Sequence, residues 1–204
     1  RMTMTNELQK LDDSKYTEEK GTVMTLRPDA WTTSRYDDVA RLIREHSCKG
    51  KLLEVGCGTG GLLLALADRF EWLVGFDLSS VRIKIAQKTL ETQTALGSKV
   101  EFKVIDADEN LPFDRGQFDC VIACAVLEHV VNIFKVMDDI ARVCKPSGYL
   151  IVTVPNICYI KHIYELLLGR VPLTGSPTPT WTRSWKRIGG RDRVRVPSAP
   201  KPRS

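Results

Sequence analysis

Apolar and polar residues change period several times along the chain, and each change marks an element. Residues 1–30 are polar, with Pro28 and no clear period, and predict a loose arm with at most a short helical turn. From Arg35 to His46, Tyr36, Val39, Ala40, Leu42 and Ile43 recur at near-helical spacing, which predicts an amphipathic helix ended by Lys49-Gly50. Leu52–Val55 is a short apolar run closed by glycines, as expected of a buried strand. A helix comes next over Gly61–Phe70, and a second strand over Trp72–Phe76, closed by Asp77. Ser79 or Ser80 can cap the next helix, which runs to about Leu96 and stops at Gly97. Val100–Ile105 and Phe118–Cys124 predict the third and fourth strands, with a helix over Val131–Cys144 and a fifth strand over Tyr149–Val154 before Pro155. Asn156 can cap a last helix, Ile157–Leu168, ended by Gly169.

Strands and helices alternate throughout, so the expected fold class is α/β. The sheet should be Rossmann-like, doubly wound and mainly parallel, because right-handed crossovers place helices on both of its faces. Such sheets bind ligands beyond the carboxyl ends of their strands, near the point where strand order reverses. The chemistry-bearing residues obey this. Gly56–Gly60 come after the first strand, Asp77 after the second, Asp106 after the third and Ala125–His129 after the fourth. The organisation predicted is an arm at 1–34, a domain at 35–170 and a tail at 171–204.

Composition changes the picture in two places. With 204 residues and 43% hydrophobic content the chain can build one sizeable core. The net charge of +5 is uneven: the segment 171–204 carries +7 and the remainder −2. That tail also holds six of the ten prolines and no apolar period, so its burial cannot offset its ordering entropy. The six cysteines form no C-x-x-C pair and sit mostly in apolar runs. They predict reduced, buried thiols and no metal site. No run reaches ~18 consecutive apolar residues, and the N-terminus lacks a signal-peptide pattern, so a cytoplasmic protein without a membrane span is expected.

"LLEVGCGTGG", Leu52 to Gly61, matches G-x-G-x-x-G at Gly56, Gly58 and Gly61. Glycines at such a turn let the backbone approach a pyrophosphate at a helix N-terminus, and an acid about 20 residues on takes the ribose diol. Asp77 lies nineteen residues after Gly58, so an oxidoreductase binding a nicotinamide dinucleotide stays open on these residues alone. Asp77 could equally cap the next helix, and Asp106 could be a plain turn residue. Asp108 and Glu109 are expected on a solvated face.

Three further features weigh the choice. Glu54 places a charge two residues before the first glycine, where dinucleotide strands stay apolar. "VIDADENLPF" comes after the third strand, and "FDCVIACAVLEHV" spans the fourth strand and the turn beyond its carboxyl end. Together these resemble the class I S-adenosylmethionine-dependent methyltransferases, with the greatest likeness to the small-molecule type 11 group that includes ubiquinone- and methionine-biosynthesis-like members. The likeness covers roughly Tyr36 to Gly169. It implies a strand order of 3-2-1-4-5 and S-adenosylmethionine as cofactor. It implies that Glu54 fixes the loop and the methionyl ammonium, while Gly56, Cys57, Gly58 and Gly60 pass under the methionyl and ribose part. By the same likeness Asp77 takes the ribose hydroxyls, Leu78 flanks the adenine, Asp106 and Ala107 bind its edge, and Ala123 and Cys124 lie beside the sulfonium. Gly61 is then incidental.

Methyl transfer needs alignment first, and a base only where the acceptor must lose a proton. His129, in "LEHV", is the candidate base; the alternative is that Glu128 and His129 brace the next helix. Acceptor contacts are expected from Tyr16, Trp31, Tyr36, Pro155, Asn156, Tyr159 and His162, each of which could be ordinary packing. No N-P-P-Y motif or Pro-Cys nucleophile is present, and no aromatics interleave with the basic tail residues, so the expected partner is a small-molecule acceptor rather than nucleic acid or membrane. The family continues past this last helix with a further helix and a final strand pair. "PTWTRSWKRIGGRDRVRVPSAPKPRS" lacks that pattern, which predicts a truncated or frameshifted frame near 175–180 and a sheet without its last two strands. A chain altered there could bind cofactor without turning over.

Overall fold

The computed structural model describes residues 9–10, 13–14, 24–26, 34–96, 98–156 and 160–169. The chain divides into two compact units at the Val154–Pro155 junction.

The first unit is built on five parallel strands: β1 (Lys51–Val55), β2 (Trp72–Asp77), β3 (Val100–Val104), β4 (Phe118–Cys124) and β5 (Cys144–Thr153). Their order is β3-β2-β1-β4-β5. β1 pairs with β2 through Leu52↔Leu73 and with β4 through Leu52↔Cys120, so strand order reverses between β1 and β4. Among the described residues β5 pairs with β4 alone.

Both faces of the sheet are covered, because alternate residues of each strand enter different cores. Leu52, Leu73, Cys120 and Ile122 point to one face, where they pack with Val39 and Ile43 of α1 (Arg35–Glu45), the leucines of α2 (Gly61–Ala65), and Ile83 and Ala86 of α3 (Ser80–Glu91). Leu53, Val55, Val74, Phe76 and Val121 point to the other, with Phe113, Phe118 and, from α4 (Ile133–Val143), Val136 and Ile140. Phe113 meets Phe118 edge-on, with ring centroids 5.2 Å apart.

Helix ends obey local chemistry. Ser34 and Asp37 form a reciprocal capping box at the start of α1. Ser79 accepts from Arg82 N at the start of α3, and Asn132 from Lys135 N at the start of α4.

Several predicted boundaries move. The expected helix over 61–70 is α-helical only to Ala65 and finishes in turns, where Ala67 N and Arg69 N donate three residues back, to Leu64 O and Leu66 O. α3 ends at Glu91, and a separate 3-10 turn spans Thr94–Leu96. α4 begins at Ile133 rather than Val131, after its Asn132 cap. β5 begins at Cys144, five residues early: Pro146-Ser147-Gly148 reads as a turn in sequence, yet the strand runs through it with a register shift against β4.

The arm is anchored where it is described. The Asp13 carboxylate accepts from Ser79 Oγ and Ser80 Oγ, both at 2.8 Å, and from Val81 N at 3.1 Å, closing the amino end of α3. Met24 and Leu26 pack against the first core. The loose arm expected from sequence is corrected at these points.

The second unit contributes α5 (Ile160–Leu167), which exposes Ile163, Tyr164, Leu166 and Leu167. Residues 157–159, over which an Asn156 cap is expected to start this helix, lie outside the described residues. No helix among the described residues is long and apolar enough to cross a membrane. The tail at 171–204 lies outside the described residues.

Candidate functional site

A cleft opens at the strand-order reversal. Its lining comes from the end of β1 and the turn after it (Glu54, Gly56, Cys57, Gly58, Thr59, Gly61), from Cys124 at the end of β4, and from Tyr36, Leu62, Arg82 and Met24. The sequence motifs thus converge as the fold predicts: Glu54, Gly56, Cys57, Gly58, Cys124 and Tyr36 share one cavity.

Glu54 dominates its electrostatics. Strand alternation turns it inward, between Gly75 and Ile122 on the neighbouring strands, where only 3% of it is exposed. Burial pushes its carboxyl up to about 8; the Asp77 charge pushes the same way, while the Leu63 N–H and Arg82 pull it back. Glu54 Oε2 has no hydrogen-bond partner among the described residues. A buried acceptor without a donor is costly, and an ammonium group is the donor that would satisfy it.

Asp77 closes the turn. Its Oδ2 accepts from Gly58 N at 2.8 Å and its Oδ1 from Ser79 N at 3.0 Å, which ties the glycine turn to the end of β2. Oδ1 keeps a lone pair for a further donor. Arg82, in the first turn of α3, places Nη1 3.5 Å from Asp77 Oδ2. Gly58 has φ +56, and its missing side chain makes room for Arg82: a Cβ there would fall 2.9 Å from the guanidinium carbon. Burial raises the thiols of Cys57 and Cys124 and, with Cys124, the Tyr36 phenol, so these groups stay neutral.

Leu78, Asp106, Ala107 and His129 come after the carboxyl ends of their strands, outside the cleft lining. Ala123 packs into the opposite core, so its side chain does not reach the cleft. Gly60 is left-handed (φ +76), and a side chain there would strike Phe102 and Ala86; it serves helix packing, while Gly61, expected to be incidental, lines the cleft. Leu78 and Ala107 are half-buried at the ends of β2 and β3. Asp106 Oδ1 accepts from Asp108 N at 2.9 Å, which is the turn role that its sequence context allows. Asp108 is not merely solvated: its carboxylate accepts from Val131 N (3.0 and 2.9 Å) and Asn132 N (2.8 Å), bracing the start of α4. His129 ends the short turn Leu127–His129 and is exposed. Ala125, between Cys124 and that turn, has φ +54 and donates its N–H to Thr153 O at 3.0 Å. Pro155 and Asn156 belong to the second unit. Tyr16, Trp31 and Tyr159 lie outside the described residues, as does the His162 side chain.

Sequence reasoning missed Arg82, Thr59, Met24 and Asp13. Arg82 carried a signal: a cation in a helix's first turn opposes the helix dipole and calls for an acidic neighbour. Met24 and Asp13 carried none, since their partners lie far away in sequence. Among the described residues no group of three or more His, Cys, Asp or Glu side chains is arranged to hold a metal.

A family model described as "Methyltransferase domain" matches residues 53–152. The mitochondrial ubiquinone biosynthesis O-methyltransferase of Rattus norvegicus is 32% identical over 138 residues, 65% of this chain and 39% of that protein. The chloroplastic tocopherol O-methyltransferase of Arabidopsis thaliana is 36% identical over 103 residues, 50% of this chain and 29% of that protein. The chain therefore spans about two fifths or less of the length of these two relatives. Among solved structures, the PH0226 protein of Pyrococcus horikoshii OT3 is 31% identical with a TM-score of 0.53, covering 64% of this chain and 58% of that one. The (4+2)-cyclase SpnF is 27% identical with a TM-score of 0.54, covering 72% of this chain and 56% of that one. The sheet order, the glycine turn and these matches together support a class I S-adenosylmethionine-dependent methyltransferase domain, to which residues 53–152 are similar.

Proposed function

We propose that the chain binds S-adenosylmethionine in the Glu54–Cys124 cleft and transfers a methyl group to an oxygen of a small-molecule acceptor. The observation that carries this is Glu54: a buried carboxylate with one oxygen unpartnered among the described residues, opening on the cleft of the glycine turn. A dinucleotide has no ammonium group to give it. When bound, S-adenosylmethionine supplies a methyl group activated by its sulfonium, so the chain's task is alignment.

Each residue has a role on this reading. Glu54 holds the methionyl ammonium. Gly56 and Gly58 let the chain pass close beneath the ligand, and Gly61 keeps the cleft wall flat. Asp77 takes the ribose hydroxyls at Oδ1, and at Oδ2 where a hydroxyl displaces the 3.5 Å Arg82 contact, while fixing Gly58 N. Leu78, Asp106 and Ala107 receive the adenine. Cys124 and Tyr36, both neutral, bound the methyl-transfer point without competing as nucleophiles. His129 accepts a proton where the acceptor is a hydroxyl. The oxygen assignment rests on the similarity to O-methyltransferases. Among the described residues the five cysteines are free and buried, which supports a reducing compartment, and we propose the cytoplasm.

Calorimetry with S-adenosylmethionine and NAD tests the cofactor: micromolar binding of the first and none of the second is expected, and the reverse would sink the proposal. Transfer of a tritiated methyl group to a panel of hydroxylated metabolites tests turnover. SpnF, named a cyclase, favours a second outcome in which a class I fold serves other chemistry. Cofactor binding without transfer to any acceptor would select it.

A further inference from the structure

Arg82 is the cation of the cleft lining, and its position has a consequence for which form of the cofactor the cleft prefers. Its guanidinium lies over Gly58 and beside Asp77, with Nη1 3.5 Å from Oδ2 and the side chain 24% exposed. Helix geometry keeps it there: Ser79 caps Arg82 N at 3.3 Å, and Asp13 pins Ser79, Ser80 and Val81. The same cleft contains the Glu54 carboxyl, with Asp77 closing the turn beside it. The Asp77 carboxylate, joined by Glu54 once a ligand ammonium ionises it, supplies the negative charge of the cleft, and Arg82 opposes it.

S-adenosylmethionine and its product S-adenosylhomocysteine differ by a methyl group and one positive charge. Uncompensated acids would favour the charged form, and a fixed cation opposes that preference. Resting on the cofactor assignment under Proposed function, we infer that Arg82 is a specificity-determining residue: its charge sets the cleft's discrimination between the sulfonium cofactor and the uncharged thioether product. The site is partly buried, so salt screens this effect only weakly.

The test is calorimetric and needs no turnover. Affinities are measured for S-adenosylmethionine, S-adenosylhomocysteine and sinefungin, whose amine restores a positive charge near the sulfonium position. The proteins are the unsubstituted chain, Arg82→Gln, Arg82→Met (which retains the aliphatic packing) and Arg82→Lys. Removal of the charge in Gln and Met is expected to shift the ratio of affinities toward S-adenosylmethionine and sinefungin, relative to S-adenosylhomocysteine, by about threefold or more. Lys is expected to keep the original ratio. An unchanged ratio in Gln and Met overturns the inference, as does equal weakening of all three ligands, which would make Arg82 a neutral-acting contact. If the unsubstituted chain binds none of the three, the cofactor assignment itself fails.

Discussion

Asp77 combines a backbone role and a proposed ligand role in one carboxylate. It holds Gly58 N and Ser79 N, so its loss loosens the turn as well as the ribose site. Asp77→Ala is expected to weaken S-adenosylmethionine binding at least tenfold, about 1.4 kcal/mol, with the circular dichroism spectrum retained. Calorimetry checks this, and unchanged affinity would remove Asp77 from the site. Glu54 makes a different prediction. Its carboxyl sits at about 8 in the folded chain. An ammonium brought against it favours the ionised form, so binding below pH 8 should release a proton. Titrations in buffers of different ionisation enthalpy will show that release, and Glu54→Gln should abolish it.

Two loop devices shape the elements around the site. Asp108 ties the segment after β3 to the start of α4 through Val131 N and Asn132 N. Asp108→Ala hands those exposed N–H groups to water and is expected to cost ~0.5–1.5 kcal/mol in urea unfolding. Ala125 occupies a left-handed backbone (φ +54). Ala125→Gly should be neutral or stabilising by up to ~1 kcal/mol, whereas Ala125→Val should destabilise by more than that. Equal melting temperatures for the two variants would show that the conformation carries no strain. Elements were legible where one pattern ruled. β4 matched its predicted bounds because its seven largely buried residues form one unbroken run. β5 did not, since its Pro-Ser-Gly stretch obeys turn chemistry locally and strand pairing globally. The all-apolar 61–66 stretch hides its own helix end, because burial on every side erases the 3.6-residue period.

Over the whole molecule, Glu54 also predicts how stability responds to pH. The unfolded chain loses this proton near 4.5 and the folded chain near 8. The folded state thus holds more protons between those values, and the Glu54 contribution falls as pH rises from 4.5 to 8, then stays level. Glu54→Gln should flatten that fall, making the variant more stable than the parent at about pH 8.5 and little different at about pH 4.5, as read by chemical denaturation. The opposite trend would show that Glu54 is ionised in the fold. Much of the site was legible at this scale too: Glu54, the glycines and Asp77 sit at strand ends, and the parallel topology alone gathers strand ends. What stayed hidden were the pairings across long sequence gaps, such as Asp13 with Ser79 and Ser80. No local pattern encodes them.

The strand order also dictates a timetable for synthesis. β1, β2 and β3 are consecutive and adjacent, so they can assemble as soon as residue 104 leaves the ribosome. That piece already contains Glu54, Gly58, Asp77 and Arg82. The other edge of β1 waits for β4, whose Cys120 pairs with Leu52. Until then a nascent chain displays half a cleft beside an open strand edge, with Leu53 and Val55 uncovered on the face that α4 will close. Translational pausing between residues 104 and 124 would lengthen that exposure, and chaperone demand should be greatest in that interval.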